Sequence, residues 1–291
     1  MRWMLPLLIG CAAAPTETES ESDSTPAARC PRPVFQSEVE VDLPVLSEAS
    51  GLDRGATGAL WTHNDSGDSA RLFALHDDGT VHGELSLTGT SARDWEDLSA
   101  AALPELGAVL VVADTGDNNR VRDDVRLVVV AEPDPTSLPA SAPAVAQIAL
   151  SYPGGPEDVE AVAVDPLDNS LWLVGKRTED APIYRASAGW WLHEAVTVEQ
   201  VGSLPVGSDT LPGSPMVTAM DIDADHVLLR TYTGAWLFRR LGTTDVAAAL
   251  SGEPCEVDAA LEQGEAIALD GAGYWTLPEA SPPPLVHYRL E

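Results

Sequence analysis

A short pattern recurs five times along the chain and restricts the fold more than any other feature of the sequence. Each copy has a polar or acidic residue, then a small or acidic residue, then an aliphatic one. Successive copies start roughly 45–65 residues apart, close to the 40–50 residues that one four-stranded propeller blade occupies. The copies are Ser50-Gly51-Leu52, Glu96-Asp97-Leu98, Glu160-Ala161-Val162, Thr218-Ala219-Met220 and Glu265-Ala266-Ile267. We call their first residues the anchors.

Strand-like runs separated by Gly, Asp, Asn and Pro follow each anchor. After Glu160, for example, they are Ser170–Gly175, Pro182–Ala186 and Val196–Leu204. The last unit lacks a fourth run, and Val34–Val45 is a strand-like segment without an anchor. The sequence therefore predicts an all-β fold, a β-propeller of five four-stranded blades closed by an N-terminal strand. Six blades remain an alternative if the long second unit divides, and only Asp245–Ser251 has a helical pattern.

The first residues predict export. Met1 to Gly10 carries one positive charge and a short apolar run, which is typical of a signal peptide. Leu8-Ile9-Gly10-Cys11 resembles the lipobox of bacterial lipoproteins, in which the cysteine is lipidated. Residues 11–32, rich in Ala, Pro, Thr, Ser and acid, are predicted to be a flexible tether, and residues 33–291 the propeller. Cys30 and Cys255 are then an even pair that can form a disulfide, with two free thiols as the alternative.

The charge balance restricts the partners. The 291 residues contain 16 Lys plus Arg and 46 Asp plus Glu, a formal net charge of -30. Such a surface repels phosphate backbones, so we expect no nucleic-acid partner. It attracts divalent cations, although solubility or a saline habitat explains the same excess.

The anchors predict a metal site. Inner strands line a propeller's channel, so the anchors should meet at one mouth of that channel. Asp94 and Asp158 precede two of the glutamates by two residues and should point the same way. We expect Glu96, Glu160, Glu265 and these two aspartates to bind Ca2+, which prefers oxygen ligands. The alternative is that the glutamates pair with arginines or cap backbone amides.

The turns after the second strands should lie at the same mouth. The polar runs there are His63–Asp68 and Asp114–Asn119, and Asn64, Asp114 and His63 are the candidate catalytic residues. Turn chemistry alone explains much of the Asn, Asp and Gly content. Three cations are candidate anion contacts or simple counter-charges of the glutamates: Lys176, Arg177 and Arg230.

Several segments resemble a known group. They are Trp61–Gly67, Asp94–Leu98, Gly116–Asn118, Asp158–Ala161 and Gly264–Ile267. These segments are similar to a group of largely uncharacterised bacterial exported β-propeller (lipo)proteins, with gluconolactonase-like and esterase-like phytase propellers as wider relatives. The resemblance covers about Glu48 to the C-terminus. It implies a propeller with a central calcium near glutamates, and it does not fix an activity.

Two functions stay open at this point. One is a lipoprotein on the cell envelope, facing the periplasm or the cell surface, whose propeller holds calcium and binds a small molecule, glycan or protein. The other is a metal-assisted hydrolase of an ester, lactone or phosphoester outside the cytoplasm. The sequence has no Gly-x-Ser-x-Gly, Gly-Lys-Ser or His-Glu-x-x-His motif, so no metal-free catalytic set is visible. We expect a monomer that meets the membrane only through its lipid anchor.

Overall fold

The fold was analysed in a computed structural model, which describes residues 30–206, 216–259 and 263–291. Five small sheets stand in a ring and form a five-bladed β-propeller with four-stranded blades. The five-blade prediction is confirmed and the six-blade alternative is wrong. The predicted signal peptide, Cys11 and nearly all of the tether lie outside the described residues. No helix in the described ranges is long and apolar enough to cross a membrane.

The strands follow one another as four-stranded meanders. The first half of the chain has β1 Pro33–Glu40, β2 Ala49–Arg54, β3 Leu60–Asn64, β4 Arg71–Leu75, β5 Val81–Thr88, β6 Trp95–Leu103, β7 Gly107–Asp114, β8 Arg126–Ala131, β9 Ser141–Pro143 and β10 Ala146–Ser151. The second half has β11 Val159–Val164, β12 Leu171–Gly175, β13 Ala181–Ala186, β14 Ala195–Thr197, β15 Glu199–Leu204, β16 Val217–Ile222, β17 His226–Thr231, β18 Ala235–Arg239, β19 Cys255–Val257, β20 Gly264–Leu269, β21 Gly273–Pro278 and β22 Pro284–Leu290. One α-helix, α1, spans Val246–Leu250, and 3-10 turns span Pro135–Ser137 and Trp190–Leu192.

Blades 1 to 5 begin with the inner strands β2, β6, β11, β16 and β20. The outer strand of blade 5 is β1, which pairs antiparallel with β22 from Pro33 opposite Leu290 to Glu40 opposite Pro284. The ring is therefore closed by an N-terminal strand, as predicted, although this strand ends at Glu40 rather than Val45. Closure in this way leaves no gap between the last blade and the first.

Two short strands cross between blades. Strand β9, from the chain of blade 2, pairs in parallel with the outer strand β5 of blade 1. Strand β14, from the chain of blade 3, pairs in parallel with the outer strand β10 of blade 2. The single predicted run Val196–Leu204 is thus wrong: its first residues belong to β14, and only β15 is a strand of blade 3.

The hydrophobic core is divided into five clusters, one between each pair of neighbouring blades. Tryptophans lie in four of these interfaces: Trp61 and Trp95 between blades 1 and 2, Trp190 and Trp191 between blades 2 and 3, Trp172 and Trp236 between blades 3 and 4, and Trp275 between blades 5 and 1. Each of these residues is at most 7% exposed. These indole rings therefore pack between neighbouring blades.

Every inner strand carries an irregularity at its anchor. In blade 3, for example, Val159 faces Gly175 and Ala161 faces Val174, so Glu160 has no partner across the ladder. The same shift occurs at the other four anchors. A β-bulge inserts one extra residue and re-aims its side chain. The repeat in the sequence is therefore a repeat of bulges at one end of the inner strands.

Three buried aspartates of the inner strands accept hydrogen bonds from backbone amides of other inner strands. Asp53 accepts from the Ala100 amide of blade 2 at 2.5 Å, and Asp221 accepts from the Leu269 amide of blade 5 at 2.6 Å. Asp97 reaches two other blades, because one of its oxygens accepts from Val162 at 2.8 Å and from Met220 at 3.2 Å. Burial, opposed by these backbone hydrogen bonds, raises the pKa of Asp97 well above its usual range. The channel is thus held together by hydrogen bonds from inner-strand amides to buried carboxylates.

Cys30 and Cys255 form a disulfide, as predicted. The bond closes a loop that includes most of the chain, so its removal frees many conformations of the unfolded protein. We expect the Cys30→Ser/Cys255→Ser variant to lose about 2–5 kcal/mol of unfolding free energy. Urea unfolding of this variant beside the oxidised parent measures the loss. Equal midpoints would show that the bond contributes no stability.

Candidate metal site at the channel mouth

Five carboxylates converge at the mouth to which the bulges point. Oxygen atoms of Asp65, Asp94 and Glu96 lie within 4.8 Å of one another, and oxygens of Glu96, Asp158 and Glu160 do the same. We call these two groups the first triad and the second triad, and together the mouth cluster. Glu96 belongs to both triads. The structure thus brings together four of the five predicted metal ligands, and Asp65 takes part in place of Glu265.

Local structure explains how each side chain arrives there. Glu96 and Glu160 occupy the bulges of β6 and β11, whose equivalent positions lie side by side in neighbouring blades. Asp94 and Asp158 precede these strands and point to the same end. Asp65 follows directly after β3, and its amide donates to the Glu48 carbonyl at 2.8 Å. Three blades therefore supply the mouth cluster.

The loop after β7 forms one wall of the site. Arg122 organises it by donating to the Gly116 carbonyl at 2.6 Å and to Asp114 at 2.8 Å. The loop then donates its Asp117 amide to the Asp158 carboxylate at 2.7 Å. At Gly116 a β-carbon would lie 1.8 Å from an oxygen of Glu96, so only glycine fits there. The Asp-Thr-Gly-Asp run is thus a backbone cradle for the carboxylates.

Glu96 is the most unusual group of the mouth cluster. Its side chain is 6% exposed, and among the described residues its carboxylate has no hydrogen-bond partner. Burial, together with repulsion from Glu160, Asp65 and Asp94, raises its pKa well above the usual range. A buried carboxylate in this state is costly unless a cation or a proton neutralises it.

Three more acids at or near the mouth also have raised pKa values. Burial raises the pKa of Glu160 to about 8 and that of Asp65 to about 6. Glu265 lies outside both triads, yet burial and repulsion from Glu160 raise its pKa to about 9. These acids therefore keep their protons to a higher pH than free carboxyl groups do, and a bound cation would compete with those protons.

One cation is built into the cluster. Lys176 follows β12, and its ammonium donates to the Glu160 carboxylate. The same ammonium lies 5.1 Å from the centre of the Tyr232 ring. Burial alone would lower the pKa of Lys176, but Glu160 raises it above its ordinary value. Lys176 is thus a counter-charge of Glu160, one of the two roles that the sequence left open.

The other candidate cations have partners away from the triads. Arg177 donates to Glu157, and Arg230 donates to the Ala259 carbonyl at 2.9 Å. Beside the mouth cluster lies an open cavity of about 300 Å3, whose lining includes Asp158, Lys176 and Arg120. A small ligand in this cavity would touch the second triad.

The three candidate catalytic residues have extensive structural contacts. Asp114 is fully buried between Arg122 and Arg126. Asn64 accepts from the Ser47 and Glu48 amides at 3.1 and 3.2 Å and donates to Asp68. His63 is completely buried, and burial lowers its pKa to about 4. These contacts hold the three side chains in place, and neither Asp114 nor His63 belongs to a triad.

The mouth cluster fits a hard divalent cation. Calcium binds oxygens at about 2.3–2.6 Å, so two ligands of one ion are at most about 5 Å apart. The 4.8 Å limit within each triad satisfies this condition. The described residues of the cluster include no His or Cys, which disfavours zinc.

Sequence reasoning missed two residues that matter here. Asp65 lies in the His63–Asp68 run, in which only His63 and Asn64 were predicted to be functional. Arg122 gave no signal, because its role depends on a loop that folds back on Asp114.

No protein-family model matches the chain, and no curated protein sequence matches it significantly. Solved structures do match. A glutaminyl cyclase from Myxococcus xanthus has a TM-score of 0.53 and 10% identity, over 90% of this chain and 99% of its own. A putative gluconolactonase has a TM-score of 0.46 and 12% identity, over 84% of this chain and 75% of its own. At such identities the likeness concerns the propeller fold alone.

Proposed function

We propose that this protein is a calcium-binding propeller whose ion sits in the mouth cluster and supports the binding of a ligand there. The observation that carries the proposal is Glu96: a carboxylate that is almost wholly buried, has no hydrogen-bond partner in the described chain and is shared by two triads. Burial and repulsion from neighbouring carboxylates raise the pKa of this group, and a bound cation would stabilise its charged form against both.

We assign separate roles to the carboxylates, to the loop after β7 and to the adjacent cavity. Asp65, Asp94 and Glu96 would hold the ion, with Asp158 and Glu160 beside it. A bound calcium supplies positive charge that can polarise an oxygen of a ligand or of water. The Gly116 cradle and Arg122 keep the carboxylates in place, and the cavity next to Asp158 and Lys176 offers space for a ligand.

A metal-assisted hydrolase of an ester, lactone or phosphoester is the second candidate, and the cavity beside the cluster favours it. A screen of these three substrate classes in calcium tests it, with Glu96→Gln as the inactive control. No turnover of any class would leave the ligand-binding function alone.

We also propose that the chain is exported and held at the cell envelope through Cys11. The lipobox-like Leu8-Ile9-Gly10-Cys11 supports this location. The Cys30–Cys255 disulfide supports it independently, because disulfides persist mainly in oxidising compartments. Labelling with radioactive palmitate in a bacterial host, with Cys11→Ala as the control, tests the anchor.

The binding experiment is a calorimetric calcium titration of residues 30–291 and of the Glu96→Gln variant. We expect the variant to lose at least about tenfold in affinity, because it removes the carboxylate shared by both triads. Glu38→Gln, an exposed glutamate on β1, is the matched control and should bind as the parent does. A parent without a calcium heat, or a Glu96→Gln variant with parental affinity, would refute the proposal.

A further inference from the structure

Lys176 is the only lysine in the whole chain; the other basic residues are arginines. The chain carries a formal net charge of -30, and its only lysine side chain donates to a carboxylate of the mouth cluster. A variant at Lys176 therefore removes the chain's only lysine side chain and tests its role at the mouth cluster.

The backbone fixes Lys176 against the second triad. Its amide donates to the Asp158 carbonyl at 2.8 Å, so the chain after β12 is tied to the residue that contributes a carboxylate to that triad. The side chain is only 14% exposed, and its ammonium meets Glu160 on one side and the Tyr232 ring on the other. The ammonium thus occupies a defined place rather than a mobile surface position.

The two triads differ in whether a cationic side chain contacts them. The first triad, Asp65, Asp94 and Glu96, has no cationic side chain within ion-pair distance among the described residues, whereas the second has Lys176 on Glu160. Each triad has the oxygens for one divalent ion, and the two share Glu96. Without Lys176 the mouth would contain the ligands for a pair of ions.

We propose that the Lys176 ammonium is the resident cation of the second triad, so that the mouth binds one divalent ion, in the first triad, and excludes a second. The inference rests on the proposed calcium function and specifies where its ion is held. An ammonium on Glu160 neutralises that carboxylate and repels a dication from the adjacent position. Lys176 thereby sets the number of ions and the charge left for a ligand in the neighbouring cavity.

The test is the calcium stoichiometry of the parent and of Lys176→Met. Methionine is unbranched like lysine, is one atom shorter and carries no charge. We expect one ion in the parent and two in Lys176→Met. Arg185→Met is the matched control, because Arg185 pairs with Asp168 in the same blade and touches neither triad; it should bind one ion.

A second measurement uses the single lysine directly. Selective labelling with [15N]lysine gives one backbone amide resonance from residues 30–291, and calcium should shift it while the amide stays protected from exchange. Two ions in the parent, or one ion in a folded Lys176→Met variant, would overturn the inference and leave the calcium function standing. No calcium binding by the parent would overturn both. If Lys176→Met does not fold, the parent stoichiometry alone decides.

Discussion

Replacement of Asp97 by alanine should destabilise the propeller by about 3 kcal/mol or more. The variant removes the acceptor of three inner-strand amides, those of Leu98, Val162 and Met220. Each buried amide left without a partner costs about 1–3 kcal/mol, and the total unfolding free energy of a domain is only about 5–15 kcal/mol. Guanidinium unfolding followed by tryptophan fluorescence measures the effect.

Two variants make the result interpretable. Asp97→Asn keeps one acceptor oxygen of similar shape and should lose less than the alanine variant. Asp42→Ala removes an exposed aspartate and should stay within about 0.5 kcal/mol of the parent. If Asp97→Ala proves as stable as Asp42→Ala, the carboxylate does not hold the inner strands together.

Without calcium, the protein should become less stable as the pH rises from about 5 to about 9. Glu160 and Glu265 have pKa values raised to about 8 and about 9, and that of Glu96 is also well above its usual range. A carboxyl group whose folded pKa is raised stabilises the fold below its unfolded pKa. This contribution is lost as the pH rises through the folded value.

Calcium should reverse this slope, because the ion binds the ionised carboxylates. The difference in Tm between calcium and chelator should be small at pH 5 and should grow towards pH 9. There, calcium at 100 times its Kd adds about 2.7 kcal/mol to the unfolding free energy. Thermal melts at four pH values in both conditions check this. Stability in chelator that rises with pH would contradict the repulsion among the mouth carboxylates.

The sequence was sufficient for the architecture because blades repeat. Equivalent anchors occur once per blade, so their spacing predicted five blades, the closing strand and the mouth at which Glu96 and Glu160 meet. Strands β9 and β14 were not predictable in this way, since each pairs with a blade other than its own. Such pairing depends on the path of a connecting loop, which has no periodicity.

The sequence was sufficient to predict which residue types meet at the mouth, but not which partners their side chains have. Carboxylates at the anchors indicated a cation, whereas the partners of Asp114 and Asn64 depend on side-chain directions in loops. The row of Asp53, Asp97 and Asp221 was also missed, although Asp97 stands in an anchor copy. Asp53 and Asp221 both stand three residues after their anchors, whereas Asp97 stands one residue after its anchor, so no single repeat position covers all three.

The two parallel strands have a consequence for how the ring comes apart. Strand β9 joins the chain of blade 2 to blade 1, and β14 joins the chain of blade 3 to blade 2. Separation of blade 1 from blade 2, or of blade 2 from blade 3, therefore breaks backbone hydrogen bonds at the rim as well as the core between the two blades. Blades 1 to 3 should behave as one cooperative folding unit, which includes the three blades that supply the mouth cluster.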